Sequence, residues 1–269
     1  MSTIPISVTL LTKDSARYLE QVLEPLARFS EVLVYDTGST DQTLAIAARF
    51  ANVVIKKGPF IGFGPTHNVA SALARHDWIF SLDSDEVASK ALIEEIAALA
   101  LDEGTVYTVA RENLFYGKVI RGCGWWPDRQ YRLYCRLRCR FDEAQVHEQL
   151  QWRGMRVLPL LHPLRHYPYR DASELLSKMQ LYTALFACQY RHDPRKKGSL
   201  SRALLHGLWA FCKSYLVKRG LFDGREGLIL SLYNGQTAYY KYLKLMEVQQ
   251  ALASCLPKAH KTSDGERAS

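Results

Sequence analysis

The chain has 269 residues, room for one large domain or a domain plus an extension, with ample length for a core. Hydrophobic residues make up 48% and charged residues 23%, an ordinary globular balance, and no apolar run reaches spanning length, which argues against an integral membrane protein. The net charge of +8 is unevenly placed: Lys118–Arg140 holds seven Lys/Arg against Asp128 alone, and Arg191–Arg219 holds eight against Asp193 alone. Such faces attract phosphates on nucleic acid, lipid or an anionic saccharide, or are simply solvated. Six cysteines without a Cys-x-x-Cys pair read as reduced thiols of a cytoplasmic protein. The start, Met1 to Pro5, enters a strand pattern with no secretion signal.

Residues 6–12 form a β-branched apolar run, and Asp14 or Ser15 is placed to cap a following helix with Tyr18, Leu19, Val22, Leu23 and Leu26 at helical spacing. A second strand, 31–35, closes in Asp36-Thr-Gly-Ser-Thr-Asp41, where Gly38 allows a tight turn and Ser39, Thr40 or Asp41 caps a helix over 42–50. A third strand spans 52–56. The Gly/Pro run 58–65 predicts a loop, with Thr66 capping a helix over 67–75. Then Trp78-Ile-Phe-Ser-Leu runs into Asp83-Ser84-Asp85-Glu86, a buried strand ending abruptly in acid. This alternation predicts an α/β fold, a mostly parallel Rossmann-like sheet with helices on both faces and a ligand crevice at the strands' C-terminal ends.

Asp36 and Asp83 both fall at such ends, so the sheet brings distant acids together. Asp83 and Asp85 are close enough to repel, and each titrates high unless a cation sits between them. Oxygen-only ligation of this kind suits Mg²⁺ or Mn²⁺; for an isolated Asp-x-Asp, a solvated acidic turn is the competing reading. Ser89 opens a helix over 90–101, a strand runs from Thr105 to Ala110, and a hairpin turns at Gly117. Residues 132–140 alternate apolar and basic, as in a half-exposed strand. From about Leu175 to Gln250 the pattern is helical, and within 200–217 Leu200, Leu204, Leu205, Leu208, Phe211 and Leu216 gather near one face with cations on the other. The expected division is a catalytic domain over 1–170, a basic helical extension over 171–256, and a disordered tail over 257–269.

Together, Ser7-Val-Thr-Leu-Leu-Thr-Lys13, Asp36-Thr-Gly-Ser-Thr-Asp-Gln-Thr43, Gly62-Phe-Gly-Pro65 with Asn68, and Ser81-Leu-Asp-Ser-Asp-Glu86 resemble the family-2 inverting glycosyltransferases of the GT-A fold. Gly124-Trp-Trp-Pro-Asp128, Arg132-Leu-Tyr134, Val146-His-Glu148 and the basic helical C-terminus resemble the lipopolysaccharide inner-core β-glucosyltransferase subgroup. The likeness covers about residues 5–250. It implies that Asp36 faces a nucleobase, with Thr37 where a second acid is common, and that Leu11, Thr12, Ser39, Asn68, Asp83 and Ser84 line the nucleotide-sugar pocket. His67 stands where the family more usually has Lys or Arg. The resemblance implies Asp83 and Asp85 as metal residues, with His147 a ligand or an orienting group, and a UDP-sugar, here UDP-glucose, as donor.

Chemically, the resemblance implies displacement at the anomeric carbon with inversion. A cation stabilises the departing diphosphate, and a carboxylate takes the acceptor's proton. Glu148 is the expected base, with Asp128 its rival. Trp125 and Trp126 suit a sugar-stacking platform, or sit in the core, and Arg132 joins them on the acceptor side. The implied partner is an anionic saccharide on lipid, reached at the cytoplasmic face of the inner membrane, with the 200–219 helices docking or merely packing on the catalytic domain. A capsule or exopolysaccharide intermediate is an alternative acceptor. A nucleic-acid-binding module lacks the usual signatures, so no nucleic acid is expected. A metal-dependent nucleotidyl or phosphoryl transferase would share the acids but lacks a phosphate-cradling glycine loop.

Overall fold

A computed structural model describes residues 3–143 and 149–255 of the chain; the expected tail over 257–269 lies outside the described residues. The chain forms two compact units, one running to Arg121 and again over Trp125–Pro168, the other made of Gly122–Gly124 and the chain from Tyr169 onward.

The first unit is built on β1 (Ile4–Thr12), β2 (Phe29–Asp36), β3 (Val53–Lys57), β4 (Trp78–Asp83), β5 (Glu86–Ala88), β6 (Thr105–Phe115), β7 (Lys118–Val119), β8 (Arg129–Cys135), β9 (Arg140–Phe141), β10 (Leu150–Gln151), β11 (Arg156–Pro159) and β12 (Leu164–His166). Among the described residues, the main sheet runs β3-β2-β1-β4-β8-β6-β12-β5, with β7 and β11 also paired to β6. β3, β2, β1 and β4 are mutually parallel, as the helical crossovers between them require. β8 then runs antiparallel to both β4 and β6, so the far half of the sheet is mixed.

Side-chain alternation explains why this sheet is buried on both faces. Ile6, Val8, Leu10, Val32, Val34, Phe80 and Leu82 pack on one side, with Leu19 and Val22 of α1 (Ala16–Leu23) and Leu92, Ile93 and Ile96 of α4 (Lys90–Ala97). The intervening Leu33, Tyr35 and Ile79 pack on the other, against Ala70 of α3 (Phe63–Leu73). The fold is thus a GT-A-like α/β sheet carrying helices on both faces, with a helical C-terminal extension.

Several local expectations are corrected. α3 starts at Phe63, inside the expected loop, because Pro65 lies in its first turn, where no amide donor is needed. Thr66 is not its cap: the Thr66 hydroxyl donates to the Gly62 carbonyl. Past β2 only a short helix forms, α2 (Thr43–Ala47). Ser89 does cap α4, accepting from the Leu92 amide at 3.1 Å. The alternating stretch 132–140 stays a strand only to Cys135, where Arg138 and Cys139 amides turn back onto the Cys135 carbonyl. The hairpin at Gly117 forms, with positive φ at both Tyr116 and Gly117 as a two-residue turn demands.

The second unit holds α5 (Ala172–Tyr190), α6 (Leu200–Cys212) and α7 (Gly224–Cys255). α5 and α6 are capped by the Asp171 and Ser199 side chains. α6 meets α7 at Gly207 and Gly235: a Cβ on Gly207 would lie 3.2 Å from the Gly235 carbonyl oxygen and 3.1 Å from Tyr239 Cβ. The large apolar residues of α6 do not turn inward. Ala203 and Gly207 are buried, whereas Leu204, Leu205, Leu208 and Trp209 are exposed. Among the described residues, no helix is long and apolar enough to cross a membrane.

Candidate active site at the strand tips

Register places the site. Thr12 pairs with Asp36 across β1 and β2, and its neighbour Leu11 pairs with Asp83 across β1 and β4. Two acids 47 positions apart therefore flank the end of one strand. The loops behind them are laced together: the Asp14 carboxylate accepts from the Thr40 and Asp41 amides, and Ser15 Oγ lies 2.9 Å from Ser84 Oγ.

Asp36 organises its own turn. Its Oδ2 accepts from the Gly38 and Ser39 amides at 3.1 and 3.0 Å, and its Oδ1 from the Thr12 and Ser39 hydroxyls. Burial alone would raise its pKa, but these donors outweigh burial and hold the carboxyl below the usual range. Asn68, expected at the nucleotide sugar, clamps the backbone of Phe141, accepting from its amide at 2.8 Å and donating to its carbonyl at 2.9 Å. His67 is buried, stacked on Phe141 and 3.3 Å from Ser81 Oγ, and burial pushes its pKa down to about 4.

The acids at the tip of β4 have cations that the Asp-x-Asp pattern did not reveal. The Arg132 guanidinium bridges Asp83, at 2.5 Å, and the fully buried Glu86. Arg111 reaches Glu86 at 3.3 Å, Asp83 at 3.7 Å and Asp128 at 2.8 Å. Burial alone would raise the Asp83 pKa, but Arg132 holds this carboxyl well below the usual range. Asp83 therefore does not titrate high, contrary to the expectation from repulsion alone. Burial, together with the Asp83 charge, pushes Glu86 up to about 7 despite Arg132. Arg132, expected on the acceptor side, is buried and spends its charge on these two acids.

Asp128, the rival base, is saturated. It accepts from Arg111 Nε at 2.8 Å, Asn113 Nδ2 at 3.0 Å and Gln130 Nε2 at 2.7 Å. Burial works to raise its pKa, yet these donors hold it below the usual range, so it is a poor proton acceptor. The expected base Glu148 and the expected ligand His147 lie outside the described residues.

Asn113 and His166 went unnoticed in the sequence. His166 is brought in by register, opposite Asn113 on β6 and opposite Glu86 on β5. Asn113 donates its amide N–H groups to the Trp125 carbonyl and to Asp128, so its Oδ1 is the acceptor that faces His166 Nδ1 at 2.5 Å. Nδ1 then carries the proton and Nε2 a lone pair, and that lone pair faces Asp85 Oδ1 at 3.7 Å. Burial and Arg111 push the imidazole pKa down to about 3, so the ring is neutral near pH 7. Leu11, Phe63, His67, Asp83, Ser84, Asp85 and His166 line an open cavity of about 230 Å³. Trp125 and Trp126 are half-buried; the Trp125 carbonyl is tied to Asn113, and the Trp126 ring lies 4.8 Å from the Arg121 guanidinium.

Among the described residues no group of three or more His, Cys, Asp or Glu is arranged to hold a metal ion. The Asp85 and His166 pair nonetheless offers two electron-pair donors 3.7 Å apart beside the Asp83 carboxylate. That donor set fits one divalent cation whose other positions go to water and phosphate.

Comparison with known proteins agrees in kind. An uncharacterized glycosyltransferase of Rickettsia bellii (strain RML369-C) is 24% identical over 270 residues, covering 95% of this chain and 90% of that protein. The lipopolysaccharide core biosynthesis glycosyltransferase LpsC of Rhizobium meliloti (strain 1021) is 28% identical over 198 residues, covering 69% of this chain and 72% of LpsC. The structure of S. aureus TarS 1-349 in complex with UDP-GlcNAc superposes with a TM-score of 0.46 at 15% identity, covering 93% of this chain and 92% of that one. The family model described as Glycosyl transferase family 2 matches residues 7–146, just over half of the chain, and on that match the chain belongs to the family-2 glycosyltransferases.

Proposed function

We propose that this glycosyltransferase moves a sugar, glucose from UDP-glucose, with inversion onto a lipopolysaccharide-core or related lipid-linked saccharide. The observation that carries the reading is the strand-tip cavity in which Asp85 and His166 stand 3.7 Å apart beside Asp83, itself one register step along β1 from Asp36. The role of LpsC in lipopolysaccharide core biosynthesis supports the acceptor class.

Leu11, Thr12, Asp36, Ser39, Asp83 and Ser84 form the nucleotide-sugar side. Asp36 shapes the turn against which the nucleoside rests, and Asn68 holds the backbone of Phe141. Asp85 and His166 would hold Mg²⁺ or Mn²⁺, with Asp83 beside them and His147 available from the segment before Glu148. When bound, that ion neutralises charge on the departing diphosphate. Arg132 and Arg111 fix the Asp83 carboxylate without leaving the site, so the acids are preorganised before substrate arrives. Glu148 takes the acceptor proton, because Asp128 has its oxygens committed to Arg111, Asn113 and Gln130. Trp125 and Trp126 present aromatic faces to the acceptor sugar, and the Trp125 carbonyl is tied to Asn113, the residue that also holds His166.

Calorimetry with UDP, UDP-glucose and other nucleotide sugars, with Mn²⁺ or Mg²⁺ and then EDTA, tests the reading. Metal-dependent UDP binding lost in Asp85→Ala is expected, together with a product of inverted anomeric configuration by NMR. Absence of binding to every nucleotide under both metals overturns it.

A further inference from the structure

The α6 helix is packed the wrong way round for water. An amphipathic helix of a soluble domain buries its large apolar side chains and exposes polar ones. Here Ala203 and Gly207 are buried, while Leu204, Leu205, Leu208 and Trp209 are 57%, 67%, 64% and 61% exposed. At 100° per residue these four lie on one arc, opposite the small pair. The exposure continues past the helix in Leu216, Val217 and Phe222, at 58%, 68% and 74%.

The cause lies at the interface with α7. A Cβ on Gly235 would meet the Gly207 carbonyl oxygen and Phe211 Cβ, each at 3.1 Å, and one on Gly207 would meet Gly235 and Tyr239 as closely. Helix backbones this near have no space between them for leucine, so the large side chains are left outside. Small residues in and large residues out is the arrangement of helices packed within lipid.

We propose that the outer face of α6 and the segment on to Phe222 is a docking surface that settles into the boundary layer of an anionic lipid bilayer. α6 has 13 residues, and no described helix can cross a membrane, so the helix lies in the interface plane rather than spanning it. Arg202, Lys213, Lys218 and Arg219 are exposed around the apolar face, and the sequence has no Asp or Glu between Asp193 and Asp223. Cations at the rim of an apolar face match acidic headgroups above acyl chains, and Trp209 suits the headgroup level. The same charge argues against a second copy of this chain as the occupant, because a two-fold contact would set like cations against each other.

This deepens the lipid-linked acceptor reading, which gives the surface its purpose, but the test does not depend on donor chemistry. The full chain is sedimented with vesicles of phosphatidylcholine alone or mixed with phosphatidylglycerol, at low and high salt. Two variants are compared: Leu205→Ser/Leu208→Ser/Trp209→Ser, and Lys213→Glu/Lys218→Glu/Arg219→Glu. These positions are exposed, so both variants are expected to keep the parent's circular dichroism and UDP affinity. The parent should pellet with the anionic vesicles and keep part of its binding at high salt, and each variant should lose about tenfold or more in partitioning. A parent that stays in the supernatant with both vesicles overturns the proposal, as does unchanged binding by the Leu/Trp variant. A dimer in sedimentation equilibrium that this variant dissociates also overturns it, assigning the face to a second copy. Loss of UDP binding in the parent sinks the transferase reading and leaves the vesicle result standing by itself.

Discussion

His166 Nε2 points at Asp85 Oδ1 from 3.7 Å, with no proton on the nitrogen to share. The Asn113 amide fixes that state by keeping the ring proton on Nδ1, which leaves Nε2 an electron pair to offer a cation. The arrangement joins β6 and β12, neighbours in the sheet, to the turn between β4 and β5.

If Asp85 and His166 hold a cation as proposed, replacing Asn113 acts on it through His166. Asn113→Ala is expected to weaken Mn²⁺-dependent UDP binding by about 10–100-fold, the usual range for a partner behind a metal ligand. His166→Ala is expected to cost at least as much. Titration calorimetry with UDP at fixed Mn²⁺ reads both, and metal-independent binding equal in all three proteins would dismiss the pairing.

Arg132 is the counter-charge for two acids, one of them fully buried. Arg132→Met leaves them facing each other, and the expected loss is about 3–5 kcal/mol in urea unfolding, as for breaking a buried ion pair. A second substitution, Glu86→Gln, removes one of the two charges and should restore part of that loss.

The division of labour between Glu148 and Asp128 is open to kinetics. Glu148→Gln should lower the turnover by about 10²–10⁴-fold, the range for loss of a general base. Asp128→Asn should retain the acidic limb of the pH–rate profile, since its carboxylate already serves Arg111, Asn113 and Gln130. Reversal of these two results would move the base to Asp128.

Asp128 should instead reveal itself in stability against pH. Its folded pKa is depressed, so its contribution is present above the unfolded value of about 3.9 and is lost as pH falls through the folded value. Asp128→Asn is expected to be about 1.5–3 kcal/mol less stable than the parent near pH 7, the worth of hydrogen bonds to a charged group. The gap should close in acid. A gap independent of pH would show that the carboxylate is not held low.

Gly207 sets the distance between α6 and α7. Gly207→Leu is expected to cost about 1–3 kcal/mol by overpacking, read in chemical unfolding followed by circular dichroism. An unchanged midpoint would mean that the two helices separate freely.

The strand-tip acids were legible because each ends an apolar run: burial on both faces leaves a strand only its tip to offer, and Asp36 and Asp83 stand there. Their cations were not. Arg132 read as a member of the basic stretch 118–140 and was expected on the acceptor side, Arg111 was not singled out, and nothing local shows that β8, running antiparallel beside β4, returns Arg132 to Asp83. His166 lies on a three-residue strand, too short to carry a periodic signal, and reaches the site by pairing with β5 and β6. Leu204 and Leu208 were legible as one face of a helix, but spacing alone does not say which face is inside. Gly207 and Gly235 decide that, and their contact belongs to tertiary structure.

Gly122–Gly124 belongs to the second unit although the chain on either side of it belongs to the first. Its Gly122 amide donates to Asp223 at 2.6 Å, and Cys123 Sγ reaches the Gly227 carbonyl at 3.4 Å. The helical unit therefore begins with a borrowed tripeptide that must already have been made before any of its helices. A C-terminal fragment starting at Tyr169 would lack the partners of Asp223 and Gly227, and an N-terminal fragment ending at Pro168 would carry three residues without theirs. During synthesis the tripeptide must wait about a hundred residues, until Asp223 and Gly227 at the start of α7 have been made.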